Sequence, residues 1–167
     1  MNDLLVSQLM QHPTLELDPD ANVEFVLSLA RETGVHHFPL TRGASLLGLV
    51  CTCDLDDAPP TQSVLELASR DVLTVRRNTK VSDAAGAMAK KAVGSAVVMD
   101  GSYVCGLLVR EDIVRAAPEL ATLFTDVCCA ACGAAKHLRR WSTSELLCVS
   151  CAGRARSSRW LDVGGGD

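Results

Sequence analysis

The chain has 167 residues and a formal net charge of −4; 48% of its residues are hydrophobic but only 4% aromatic. That length suits one domain of ordinary size, or one with a small appendage, built on an aliphatic core. Few aromatic platforms argue against base-stacking recognition of single-stranded nucleic acid, and the lack of any apolar run of about 18 residues argues against a membrane span.

The N-terminus, Met1-Asn2-Asp3-Leu4, lacks the positive start of a signal peptide, so the expected location is cytoplasmic. Residues 3–10 form an apolar lead-in, and Thr14-Leu15-Glu16-Leu17 reads as a short strand. Asp18-Pro19-Asp20 supplies turn and N-cap chemistry before a helix whose apolar face carries Val23, Val26, Leu27 and Ala30. Strands are expected over Val35 to Leu40 and through Gly48-Leu49-Val50-Cys51, joined by a turn at Thr41-Arg42-Gly43. A helix is expected to start near Asp54.

After Pro59-Pro60 the same order returns. Val64 to Ala68 repeats the lead-in, Val72-Leu73-Thr74-Val75 the strand, and Arg76-Arg77-Asn78-Thr79 the turn. Val81, Ala84, Ala85 and Met88 then fall on one helical face. Val93 to Met99, the tight turn Asp100-Gly101-Ser102 and Gly106-Leu107-Leu108-Val109-Arg110-Glu111-Asp112 complete the second copy. Asp112 follows Asp54 by 58 positions, and the same shift relates Val6 to Val64, Leu15 to Leu73, Val23 to Val81 and Gly43 to Gly101. A gapless repeat of this length means two copies of one strand-helix-strand-strand-helix unit, neither able to bury its apolar face alone.

This pattern resembles a tandem pair of CBS domains, the regulatory module named after cystathionine β-synthase, over roughly residues 3–117. His37-Phe38-Pro39-Leu40 resembles the apolar-Pro-apolar strand common in that family. The expected architecture is α+β: two βαββα repeats packed together, residues 1–60 and 61–120, with a small C-terminal four-cysteine ribbon at 126–156 and a loose tail at 157–167.

The resemblance implies an adenine nucleotide or S-adenosylmethionine in clefts between the halves, and pairing into a flat homodimer. Asp54 and Asp112 are the candidate ribose ligands, since a carboxylate can accept from both hydroxyls. The position three before each Asp, usually Ser or Thr in the family, holds Cys51 in one copy and Val109 in the other. A thiol is a weak donor and Val is none. Arg110, or Arg76 and Arg77, could supply charge to a phosphate, and His36 and His37 start a strand beside the cleft. Helix capping is the rival role for both Asp residues. Cys51, Cys53 and Cys105 read as small hydrophobes on strands.

Beyond Ala117, Pro118 can start a further helix through Leu120, Leu123 and Phe124. Cys129-x-x-Cys132 and Cys148-x-x-Cys151 then have the spacing of a tetrahedral thiolate site, with Gly133 and Ala152-Gly153 easing the bends. Cys128 shifts the register without making the spacing, and His137 is a poorer ligand. The segment resembles a zinc ribbon of the rubredoxin-knuckle type; iron fits the same donors. Residues 128–167 carry six Lys and Arg against three Asp and Glu, whereas residues 1–127 carry ten against 17. An acidic body with a basic tail points to a protein or nucleic-acid partner met through the ribbon.

No arrangement in the chain resembles a catalytic one. The expected function is therefore regulatory: a sensor whose repeat pair binds an adenine nucleotide and whose zinc ribbon contacts a partner. The alternatives are a nucleic-acid-binding regulator and a rubredoxin-like iron carrier.

Overall fold

The computed structural model describes residues 4–124, 138–140, 146–148 and 152. The first half contains α2 (Val23–Thr33) and the antiparallel hairpin β1 (His37–Arg42) with β2 (Ser45–Cys51). The second contains β3 (Thr74–Arg76), α4 (Val81–Lys91), β4 (Ser95–Asp100), β5 (Tyr103–Val109) and α5 (Arg110–Ala116), with strand order β3-β4-β5. Two short lead-in helices, α1 (Val6–Leu9) and α3 (Val64–Leu67), precede the halves. Each hairpin turns on a glycine at positive φ, Gly43 at 61° and Gly101 at 60°, a conformation that a Cβ would disfavour.

The lead-ins cross over. Val6 is buried among Val81, Ala84, Met88, Val98 and Ile113 of the second half, whereas Val64 is buried among Val23, Val26, Phe38 and Val50 of the first. The backbone repeats the exchange bond for bond. Val6 N–H donates to Thr79 and Val81 N–H to Leu4, at 2.9 and 2.8 Å; Val64 donates to Ala21 and Val23 to Gln62, both at 3.0 Å. Past each lead-in the chain bridges the outer hairpin strand, Gln11 to Leu107 and Ser69 to Leu49.

This close approach is why glycine stands at 48 and 106. A Cβ on Gly48 would lie 3.0 Å from the Ser69 carbonyl oxygen, and one on Gly106 would lie 2.6 Å from Met10 Sδ. Between the halves, Val97, Leu107 and Val109 are buried against Leu46, Leu49 and Val72. Neither sheet covers both its faces within its own repeat.

Three elements differ from the sequence expectation. Residues 14–17 do not make a strand; only Leu17 bridges, parallel to Leu40. In the second half the matching pair, Val75 and Val98, lies inside a three-residue ladder, and Val97 N–H donates to Leu73 at 2.9 Å. The position matching Val97 is Pro39, which has no N–H to give Leu15.

Second, the helix expected at Asp54 is a single 3-10 turn, Thr52–Asp54. Pro59 stands where the second copy has Ala117, whose N–H closes α5 by donating to Ile113 at 2.8 Å; a proline has no N–H to give and disfavours a helical Ala58 before it. Third, Pro118–Phe124 is a 3-10 rather than an α-helix; it buries Phe124 against the second core and leaves Leu123 exposed.

Candidate functional site

The predicted site residues fall into two groups, one at the open end of each hairpin. In the second half, β5 ends at Val109, which is buried between the sheets and offers a ligand no polar atom. Arg110 N–H donates to Gly94 at 2.9 Å, and the Arg110 guanidinium, 11% exposed, lies 3.5 Å from the Glu111 carboxylate. Asp112, at the third position of α5, is buried and already engaged. One of its oxygens accepts from Gln11 Nε2 at 2.7 Å and the other from Arg115. Asp112 thus fastens the crossed-over lead-in to the second half, through two side-chain partners and not through a helix cap. Gln11 and Arg115 were not legible as its partners, Gln11 lying 101 residues away.

In the first half, the bulge between Leu40 and Thr41 shifts the β1–β2 register so that His37 stands opposite Cys51. Cys51 ends β2, half-buried, and Thr52, Cys53 and Asp54 form the 3-10 turn. Thr52 N–H donates to the His36 carbonyl at 3.0 Å, and the exposed His36 imidazole Nδ1 lies 3.3 Å from the Thr52 hydroxyl. Asp54 is half-buried on this turn, and Asp56 and Asp57 are exposed just beyond it.

Cys51 ends strand β2 half-buried, as a small strand residue would, and its sulfur has polar neighbours. A hydrogen bond from the Cys53 thiol is the largest influence on its sulfur; a further bond and positive charge from His37 and the Cys53 backbone N–H act in the same direction. Together they outweigh burial and lower the Cys51 thiol to about 3, because each stabilises the thiolate. Cys105, in β5, shows the opposite: burial raises it. The pairing of His37 with Cys51 was hidden in the sequence, since a hairpin closed at Arg42 and Ser45 without a bulge would set His37 against Val50.

A cavity of about 1110 Å³ lies elsewhere, between Leu46 and Gly48 of β2 and the β3–α4 turn. Arg70, Arg76 and Arg77 line it, as do Asp83 and Asp100, and Arg77 is paired to Asp100 at 3.2 Å. Two carboxylates offset most of the arginine charge, and neither Asp54 nor Asp112 borders the cavity. Of the metal-ligand candidates, Cys129, Cys132 and Cys151 lie outside the described residues. Cys148 is buried at the end of β7 (Leu146–Cys148), which pairs antiparallel with β6 (Leu138–Arg140). Among the described residues, no helix is long and apolar enough to cross a membrane.

The CBS domain family model matches this chain twice, over residues 6–60 and 64–119. The chain belongs to the CBS domain family. Its described body is a CBS pair, and its repeats coincide with the two matched segments.

Solved structures of CBS pairs have the same fold at low identity. The CBS domain pair of protein MJ0100, in complex with 5′-methylthioadenosine and S-adenosyl-L-methionine, is 21% identical with a TM-score of 0.64, covering 70% of this chain and 97% of that one. The CBS domains of a transcriptional regulator from Streptococcus pneumoniae are 22% identical, with a TM-score of 0.61 and coverage of 67% and 98%. CBSX2 in complex with AMP is 24% identical, with a TM-score of 0.60 and coverage of 70% and 98%. The inosine-5′-monophosphate dehydrogenase of Thermoplasma acidophilum is 24% identical over 99 residues, 59% of this chain. The chain spans only 20% of the length of that curated relative.

Proposed function

We propose that this CBS pair is a regulatory sensor that holds an adenosine compound against the Thr52–Asp54 turn and passes its ligand state to a partner. The observation that carries the choice of site is the contrast between the two carboxylates. Asp112 is buried and bonded to Gln11 and Arg115, and Val109 beside it is apolar. Asp54 is half-buried on the 3-10 turn, where Thr52 and His36 add polar groups instead of an apolar neighbour.

The charge around that turn narrows the ligand. Asp54, Asp56 and Asp57 make its surroundings negative, and the lowered Cys51 thiol acts in the same direction. Like charges within a few ångströms repel, so a polyphosphate is disfavoured and an uncharged or cationic 5′ group is favoured. 5′-Methylthioadenosine and S-adenosylmethionine are of that class; both are bound by the MJ0100 pair.

The C-terminal segment completes the reading as a structural zinc ribbon bearing Cys129, Cys132, Cys148 and Cys151. Support comes from the β6–β7 hairpin between the two cysteine pairs and from the burial of Cys148 at its end. Arg139 and Arg140, with Arg154 and Arg156 beyond, suit an acidic partner surface, and the module pairs as a homodimer.

Calorimetry tests the ligand assignment. Methylthioadenosine is expected to bind the wild type more tightly than ATP, and Asp54→Ala is expected to weaken it by about tenfold or more, the worth of one charge-assisted hydrogen bond. Asp112→Ala is expected to leave the affinity within about twofold. Equal heats from wild type and Asp54→Ala would overturn the assignment.

A further inference from the structure

We propose that Cys51 and Cys53 are an oxidisable thiol pair: a hydroperoxide converts Cys51 to the sulfenic acid, and Cys53 closes a disulfide on it at the turn that carries Asp54. Two observations place the chemistry here. The bulged register sets the His37 imidazole opposite Cys51, where it hydrogen-bonds the sulfur. The step from β2 into the 3-10 turn brings the Cys53 thiol, two residues on, into hydrogen-bonding contact with the same sulfur. Nucleophile, stabilising imidazole and resolving thiol thus stand together, and both sulfurs belong to half-buried residues.

The reaction balances in two steps. The Cys51 thiolate attacks the distal oxygen of the hydroperoxide, and the S–O bond forms as the O–O bond breaks. Sulfur is oxidised by two electrons, and the alkoxide or hydroxide that leaves takes up, by way of His37, the proton that the Cys51 thiol gave up on becoming the thiolate. The Cys53 thiolate, its proton given to the imidazole, then attacks the sulfenic sulfur. The S–S bond forms, the S–O bond breaks, and hydroxide leaves and is protonated to water. Other titratable groups near the pair are His36 and Asp54 on the strand and turn; on α2, which packs against the turn, Glu24, Arg31 and Glu32 are exposed.

Closing an eleven-membered ring across Cys51-Thr52-Cys53 must reshape the turn, and with it the position of Asp54. Oxidation is therefore expected to lower affinity for an adenosine ligand, a consequence that rests on the function proposed above; formation of the bridge does not.

The full-length protein suits the test, because residues 43–70, between Arg42 and Arg70, form one tryptic fragment whose only cysteines are Cys51 and Cys53. After hydrogen peroxide that fragment is expected to be lighter by two hydrogen atoms. In Cys53→Ser, dimedone is expected to label Cys51 as the trapped sulfenic acid. Iodoacetamide is expected to alkylate Cys51 at similar rates at pH 8 and pH 5, whereas the rate at Cys105 falls on the order of a thousandfold as its thiolate fraction drops. A fragment that stays reduced while Cys105 oxidises, or a Cys51 rate that follows Cys105 down, overturns the proposal. If the bridge forms and the protein binds no methylthioadenosine in either redox state, the ligand assignment fails and the thiol pair stands.

Discussion

Ala92 ends α4 in the left-handed conformation at φ 56°, donating its N–H to Ala89 and Met88. The matching residue of the first copy is Gly34, at φ 73°. An L-residue with a Cβ is strained there by about 1 kcal/mol, partly offset by the greater unfolded-chain entropy of glycine. Ala92→Gly is accordingly expected to stabilise the protein by about 0.5 kcal/mol or more, read as a higher midpoint in urea; a lower midpoint would contradict the strain argument. At the same scale, Cys51 and Asp112 occupy positions that a family pattern assigns to the ligand, and their neighbours redirect them. Asp112 is taken up by Gln11 and Arg115, and the Cys51 thiol is shifted down by Cys53 and His37. Neither outcome follows from residue type; each depends on what the chain brings alongside.

At the scale of the element, the apolar faces were legible because side chains at helical spacing report burial directly. Val81, Ala84, Ala85 and Met88 are all buried, as are Val23, Val26 and Ala30 in the first copy. The turns at Gly43 and Gly101 were legible for an equally local reason. Two of the missed elements lie where one copy carries a proline that the other lacks. Pro39 removes the N–H that would pair with Leu15, and Pro59, standing where the second copy has Ala117, removes the N–H that would close a helix after Asp54. Reading the copies against each other, rather than by likeness, would have found both. Pro39→Val restores the donor and is expected to add a slowly exchanging amide at position 39, with residues 14–17 lengthening into a ladder beside β1. Fast exchange at that amide would mean that something other than the missing donor breaks the strand.

At the scale of the molecule, each half is completed by the other's lead-in. Which half receives a lead-in is a tertiary choice invisible to a repeat, since both copies present the same apolar residues at Val6 and Val64. The exchange predicts that damage crosses over. Truncating either valine to Ala is expected to cost about 1–3 kcal/mol. Val6→Ala should speed amide exchange in α4 and β4 more than in α2 and β1, and Val64→Ala the reverse; effects confined to the mutated residue's own repeat would contradict it. The same symmetry makes the functional asymmetry informative. Two halves built on one plan, with matching glycines and matching exchanged bonds, differ at the ends of β2 and β5 as well as at the strand that Pro39 breaks. One end carries the buried Asp112 beside apolar Val109, and the other an acidic turn around half-buried Asp54.

That difference is tested most directly by following backbone amide shifts while 5′-methylthioadenosine is titrated into the labelled protein. The account predicts saturable shifts centred on residues 36–37 and 51–56, with residues 94–96 and 109–113 nearly still. Shifts centred on the second group would place the ligand against Asp112 and contradict it.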